Sequence, residues 1–226
     1  MCGRFSQDMT WAQVHAFSQG LDLMVPDVEP AASFNVAPTQ SVWTILGEDE
    51  GGAVGAVAQQ LRWGLIPGWA RDIKAGAALI NARIETIAGK PSFRSAWKSR
   101  RCLVPASGYY EWRPEQGIKQ PYWIHDAERP MILFGGIWEN WKTPEGEWLR
   151  SFAIITTAAG DDMVELHDRT PLMLSGEVLH AWLHAAAEEA MAIAMSAPLP
   201  TLAWHPVSRA VGNPRSNGPQ LIQPIA

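Results

Sequence analysis

Cysteine is scarce in this chain: 226 residues hold only Cys2 and Cys102. Two thiols build neither a disulfide framework nor, unaided, a zinc cluster, and they point to a reducing compartment. Long apolar runs are also missing. No stretch of eighteen apolar residues occurs, and the opening MCGRFSQDMT lacks the basic and apolar regions of a secretory leader. Both absences argue against membrane spanning or secretion and for a cytoplasmic protein. No Pro/Gly/Ser-rich stretch is long enough to divide the chain, and neither a repeat nor a low-complexity tract is found. The sequence reads as one domain over residues 2–226, large enough to bury a substantial core.

Indole and turn chemistry are abundant instead. Twelve Trp, 19 Gly and 17 Pro accompany a hydrophobic content of 47%, the profile of a loop-rich protein with many short strands. Thr10 and Gln13 form a capping-box pattern ahead of Trp11, Val14, Phe17 and Leu21 at helical spacing, which predicts a helix over 10–20 ended by Gly20. Strands are predicted at VWTIL (42–46), at QQLRWGLIPGW up to Pro67-Gly68, and at RCLVPASGYYEW, PYWIHD, MILFGGIWENW and SFAIITTA, with EDEGGAVGAV (48–57) as an exposed hairpin connection. SFRSAWKSRR reads as a short helix with Arg94, Lys98 and Arg101 in a basic stripe opposite Phe93 and Trp97. Ser175 is expected to cap a further helix through HAWLHAAAEEAMAI, ended by Pro198 and Pro200. This order predicts a single α+β domain on a twisted, barrel-like, mainly antiparallel β-sheet with flanking helices.

The net charge of −5 is unevenly placed. Residues 62–113 carry ten Lys/Arg against three acids, a local balance of +7, while the remainder stands at −12. Such a cationic region, interleaved with Trp63, Trp69, Phe93 and Trp97, suits a groove that tracks a phosphate backbone and stacks bases. Several of these rings, Trp97 first, are expected in the core.

Cys2 is placed for unusual chemistry. Methionine aminopeptidase removes Met1 ahead of small side chains, and the exposed cysteine then carries a free α-amine. An α-amine titrates near 7.7–8.0 against about 10.4 for lysine, so far more of it is nucleophilic at pH 7. It forms a Schiff base with an aldehyde, and the thiol two carbons away closes a thiazolidine ring with the help of proximity. A general acid/base is needed to open a masked aldehyde and move protons. Glu111, set among aromatics in GYYEWR, and His167, in ELHDRTPLML, are candidates for that work. Asn81, at the end of an apolar run in LINARIET, is fit to hydrogen-bond a sugar or base.

MCGRF, FNVAPTQ (34–40), LRWGLIPGW (61–69), NARIET (81–86), CLVPASGYYEW (102–112), HDRTPLML (167–174) and WHPVSRAVGN (204–213) together resemble the SRAP family. Its members include a bacterial abasic-site processing protein and a eukaryotic relative that binds 5-hydroxymethylcytosine DNA. The resemblance implies that the second residue becomes the N-terminus, by a removal of Met1 thought to be autocatalytic, and crosslinks to abasic sites in single-stranded DNA. It implies that Asn81 positions the opened sugar, Glu111 aids ring opening and proton transfer, and His167 assists the Schiff base. Arg4 and Arg83 resemble phosphate-contacting arginines, and Pro38 and Trp69 resemble residues that wedge or stack where the strand bends. Some relatives carry two adjacent tryptophans, whereas Ala70 follows Trp69 here. The partner implied is single-stranded DNA, or a single/double-strand junction, with an abasic site; no cofactor, metal or obligatory protein partner is implied.

Two rivals remain at this level. Class II glutamine amidotransferases also begin Met-Cys-Gly, but the chain has no HTRW-like arginine motif, and Gly212-Asn213 runs in the reverse order of the Asn-Gly pair suited to their oxyanion hole. A non-covalent single-strand binder explains the cationic, aromatic region and leaves MCGRF and Glu111 idle. His180 and His184 lie four apart, yet HAWLH lacks the zincin glutamate and an evident third ligand.

Overall fold

The computed structural model describes residues 2–50, 53–115, 117–161 and 163–225. The first half contributes β1 (Phe5–Gln7), α1 (Trp11–Phe17), β2 (Leu23–Met24), β3 (Ser33–Val36), β4 (Ser41–Glu50), β5 (Ala53–Trp63), β6 (Asn81–Arg83), α2 (Arg94–Ser99), β7 (Arg101–Ala106) and β8 (Gly108–Glu115). The second half adds β9 (Ile118–Asp126), β10 (Ile132–Lys142), β11 (Trp148–Ala158), β12 (Arg169–Pro171), β13 (Met173–Leu174), α3 (Val178–His184), α4 (Ala187–Ser196) and β14 (Leu202–Pro206).

Five strands close into a barrel. The sheet path β11-β10-β7-β4-β5 returns on itself because β5 also pairs with β11 in parallel, Ser151 opposite Arg62 and Phe152 opposite Trp63. Alternation along each strand sends Leu46, Leu61, Trp63, Val104, Phe134, Phe152 and Ile154 into one apolar cluster, while Ile45, Leu103, Leu133, Ala153 and Ile155 join another with Trp97 and Trp182 from the helices. A second sheet, in the order β14-β9-β8-β1-β3, lies against the first cluster through Phe5 and Tyr109. The Phe5 ring stands 5.0 Å from Trp63 and 6.0 Å from Phe134, both edge-on. The α+β, barrel-like, mainly antiparallel fold expected from the sequence is the fold observed, as a single mixed domain.

Several local expectations are corrected. The capping box on α1 is present as read, with Thr10 and Gln13 bonded reciprocally. By contrast, most of 48–57 is strand: β4 and β5 stay paired out to Glu50 opposite Ala53, and β2 adds to β5 at Ala56 and Val57. Only Gly51 and Gly52 of that stretch lie outside the described residues, as does Met1. The strand read up to Pro67-Gly68 ends at Trp63, where Gly64 takes φ +113. A Cβ on Gly64 would meet the Gly76 carbonyl oxygen at 2.5 Å, so this close crossing needs glycine. RCLVPASGYYEW is two strands in different sheets, because the chain leaves the barrel at Ser107.

The Ser175-capped helix is two helices, with Glu177 at the first N-cap and extended backbone at Ala185 and Ala186 between them. Arg101 causes the break. It starts β7 rather than completing the basic stripe of α2, and its side chain is buried, donating to the carbonyls of Trp97, Trp182 and Ala185. Trp63, Phe93 and Trp97 are core residues, whereas Trp69 is 68% exposed.

Candidate functional site

Residues from both sheets meet around Cys2. The residue precedes β1 and is 1% exposed, packed in the cluster that contains Phe5, Tyr109, Met163 and Leu166. Pairing of β1 with β8 sets Phe5 opposite Tyr109, and Tyr110 N–H donates to the Arg4 carbonyl at 2.9 Å. That register brings Glu111, two residues further along β8 and 6% exposed, toward the chain start. Burial pushes the Cys2 thiol well above its ordinary range, and the nearby Glu111 carboxylate pushes it further. The resting thiol is therefore protonated.

Asn81 reaches Cys2 from the barrel side. It opens β6, which runs parallel to β11 with Asn81 opposite Ile154, and its Nδ2 donates to the Cys2 carbonyl at 2.8 Å. Its Oδ1 is buried and has no hydrogen-bond partner among the described residues. Arg83, two residues on along the same short strand, is exposed.

His167 lies just before β12, on the loop whose Met163 and Leu166 pack in the Cys2 cluster. The Arg169 N–H donates to His167 Nδ1 at 2.9 Å, so the neutral ring carries its proton on Nε2. Nδ1 also lies 2.9 Å from Asp168 Oδ1, a contact that needs a proton on Nδ1 and so competes with the Arg169 N–H. Thr170 Oγ1 is 3.1 Å from the Tyr109 hydroxyl, which ties this segment to β8.

The four residues expected to meet DNA are spread more widely. Arg4 is half-buried, and its Nη1 donates to Asn35 Oδ1 at 2.8 Å and to the Val211 carbonyl at 2.7 Å. Pro38 caps a tight turn in which Gln40 N–H returns to the Ala37 carbonyl and Thr39 holds φ +77. Thr39 N–H and the Gln40 carbonyl both bond the Trp63 backbone, fixing this turn to the end of β5. Trp69 rides a turn closed by Ala70 N–H to the Pro67 carbonyl, anchored from below by Trp141 Nε1 on the Ala70 carbonyl at 2.7 Å.

Sequence reasoning assigned no role to Arg169, Glu85 or Thr156. Arg169 clasps Glu85 with both terminal nitrogens, at 2.6 and 3.0 Å, and donates to the Thr156 carbonyl at 2.6 Å. The opposite charges of Glu85 and Arg169, in two segments singled out on other grounds, were the available signal. Among the described residues no group of three or more His, Cys, Asp or Glu could hold a metal ion. None of their helices is long and apolar enough to cross a membrane.

A closed barrel overlaid by a second sheet, with the Asn81 amide on the Cys2 main chain and the Glu111 carboxylate near its thiol, defines a barrel-type α+β protein with a cysteine-centred candidate site. The family model described as SOS response associated peptidase (SRAP) matches residues 1–214, and the chain belongs to the SRAP family. It is 37% identical to the abasic site processing protein YedK of Escherichia coli, over the whole of both chains. It is 36% identical to the abasic site processing protein YoqW of Bacillus subtilis, covering 99% of each. A crystal structure of a Bacteroides thetaiotaomicron protein superposes with a TM-score of 0.79 at 26% identity, covering 100% of both chains.

Proposed function

We propose that the protein recognises abasic sites in single-stranded DNA and captures them covalently through Cys2. Met1 leaves first. The Cys2 α-amine attacks C1′ of the ring-opened deoxyribose, and the carbinolamine loses water to give an imine. Sγ then adds to the imine carbon, its proton passes to the nitrogen, and a thiazolidine closes. Glu111 moves the protons of ring opening and dehydration, His167 assists at the imine, and Asn81 fixes the Cys2 main chain. Arg4 and Arg83 meet phosphates, while Pro38 and Trp69 wedge or stack beside the lesion. The chemistry needs neither metal nor cofactor.

One observation carries this reading: Cys2 is buried and fastened by Asn81 with a carboxylate beside its thiol, which no frayed terminus would be. Burial also orders the steps. A protonated thiol is a poor nucleophile, so the amine reacts first and the sulfur closes the ring afterwards. The relatives' names support the abasic substrate.

The test is a denaturing gel after incubation with an abasic single-stranded oligonucleotide. Wild-type protein should give an adduct that survives boiling. Cys2→Ala should give at most a Schiff base that is trapped only by borohydride. An equally heat-stable Cys2→Ala adduct without reductant overturns the proposal, as does a fully crosslinked population whose intact mass retains Met1.

A further inference from the structure

Resting on that reading, we propose that Arg62 grips a phosphate of the bound strand between the Pro38 and Trp69 turns, in addition to the phosphates met by Arg4 and Arg83. Its place follows from register. Ser41, Arg62, Ser151 and Glu139 stand opposite one another on β4, β5, β11 and β10, so they share one row on one face of the barrel wall. Their neighbours Val42, Trp63 and Phe152 belong to the first apolar cluster, so the row faces away from it. The segment after β5 then crosses this row. Gly64 lies beside Arg62, Ile66 N–H donates to Ser151 Oγ at 2.8 Å, Gly68 stands over the Glu139 carboxyl group, and Trp69 follows. On the other side, Ser41 follows the Pro38 turn directly. Arg62 Nη1 donates to the Trp63 carbonyl at 3.3 Å, the same oxygen that holds the Thr39 N–H of that turn.

The guanidinium has donors to spare. That long, shared bond to Trp63 is the one hydrogen bond its side chain makes among the described residues, and no carboxylate pairs with it there. Glu139, the acid on its row, is taken by Arg100 at 2.7 Å. Arg101 and Arg169 differ, since the fold supplies each with several acceptors. Partial burial pulls Arg62 below the ordinary arginine range, as befits a cation stripped of some water and given no anion in return. It stays charged at neutral pH all the same. A phosphate supplies the missing anion, and the planar fork of the guanidinium matches two of its oxygens. Gly64 helps by its lack of a side chain: a Cβ there would stand 3.5 Å from Arg62 Nη1.

The experiment measures binding of a single-stranded oligonucleotide with a tetrahydrofuran analogue of the abasic site, which cannot react, over a range of salt concentrations. Arg62→Gln should lower the slope of log affinity against log salt by about 0.7, the share of one phosphate on a single strand, and weaken binding about fivefold at about 0.1 M salt. Arg62→Lys keeps the charge and should keep the slope while losing the paired grip. A second series replaces one linkage at a time by an uncharged methylphosphonate. Wild-type binding should weaken at the linkage that Arg62 meets, and Arg62→Gln should feel no further loss there. An unchanged slope in Arg62→Gln, or methylphosphonate penalties equal to wild type at every linkage, overturns the proposal. Should urea unfolding show that Arg62→Gln does not fold, Arg62→Lys decides: its penalty at that linkage should be less than half that of wild type, and equal penalties overturn the assignment. Covalent capture is scored separately, with an authentic abasic oligonucleotide. Wild-type protein that binds the analogue and forms no heat-stable adduct overturns that reading and leaves Arg62 to the slopes, whereas wild-type protein that does not bind the analogue overturns both.

Discussion

Asn81 is a side chain whose two ends meet different fates. Its Nδ2 is spent on the Cys2 carbonyl, and its Oδ1 is buried without a partner among the described residues. An unpaired buried acceptor costs about 1–3 kcal/mol, a penalty that a ligand hydroxyl or amine donating to it would lift. Asn81→Ala is therefore expected to slow adduct formation at least tenfold, by loosening Cys2 and removing that acceptor. Binding to an unreactive tetrahydrofuran analogue should change much less. Equal losses in rate and in analogue binding would show Asn81 to be a binding contact only. That Asn81, Glu111 and Cys2 were worth singling out could be read from the sequence because each stands in a short, recognisable segment, and the structure brings the three together. The Glu85–Arg169 pairing was not, since its members lie 84 residues apart and nothing local to either predicts the other.

Among the elements, those written by neighbouring residues were read correctly and those imposed from a distance were not. Thr10 and Gln13 satisfy each other's backbone three positions apart, so α1 begins where its own sequence says. The alanine-rich stretch 185–187 is good helix material, yet two extended residues interrupt it. Arg101, far away in the chain, takes the Trp182 and Ala185 carbonyls that would continue the helix. It also bonds the Trp97 carbonyl, so one cation sits at the C-terminal ends of α2 and α3 together, where their dipoles favour positive charge. Arg101→Ala would strand those buried carbonyls, and a loss of about 3 kcal/mol is expected in urea unfolding at unchanged m-value. A loss under about 1 kcal/mol would show that water or a re-formed helix replaces the side chain. The split of residues 101–112 at Ser107 was likewise invisible, since one apolar run serves two sheets.

For the molecule as a whole, burial of the two thiols links stability to pH. Cys2 and Cys102 are both pushed up from 9.0, chiefly by burial. Below pH 9.0 both folded and unfolded chains keep these protons, and the stabilising contribution is complete. Above it the unfolded chain releases them while the native state does not, so stability falls by about 1.4 kcal/mol per pH unit for each thiol. Urea midpoints between pH 8.5 and 10 should decline in the wild type and be much flatter in a Cys2→Ala, Cys102→Ala double variant; equal slopes would contradict the burial. The same enclosure has a consequence in time. Cys2 is covered only when β1 finds β8, whose Tyr109 is made about a hundred residues later, and Arg4 receives its last partner from Val211 near the chain's other end. At ribosomal speeds of about 5–20 residues per second, the second residue stays uncovered for about 5–20 s or longer during synthesis. A residue enclosed at the end is thus among those longest open at the beginning, and the burial of Cys2 sets a deadline for any enzyme that must trim the nascent chain.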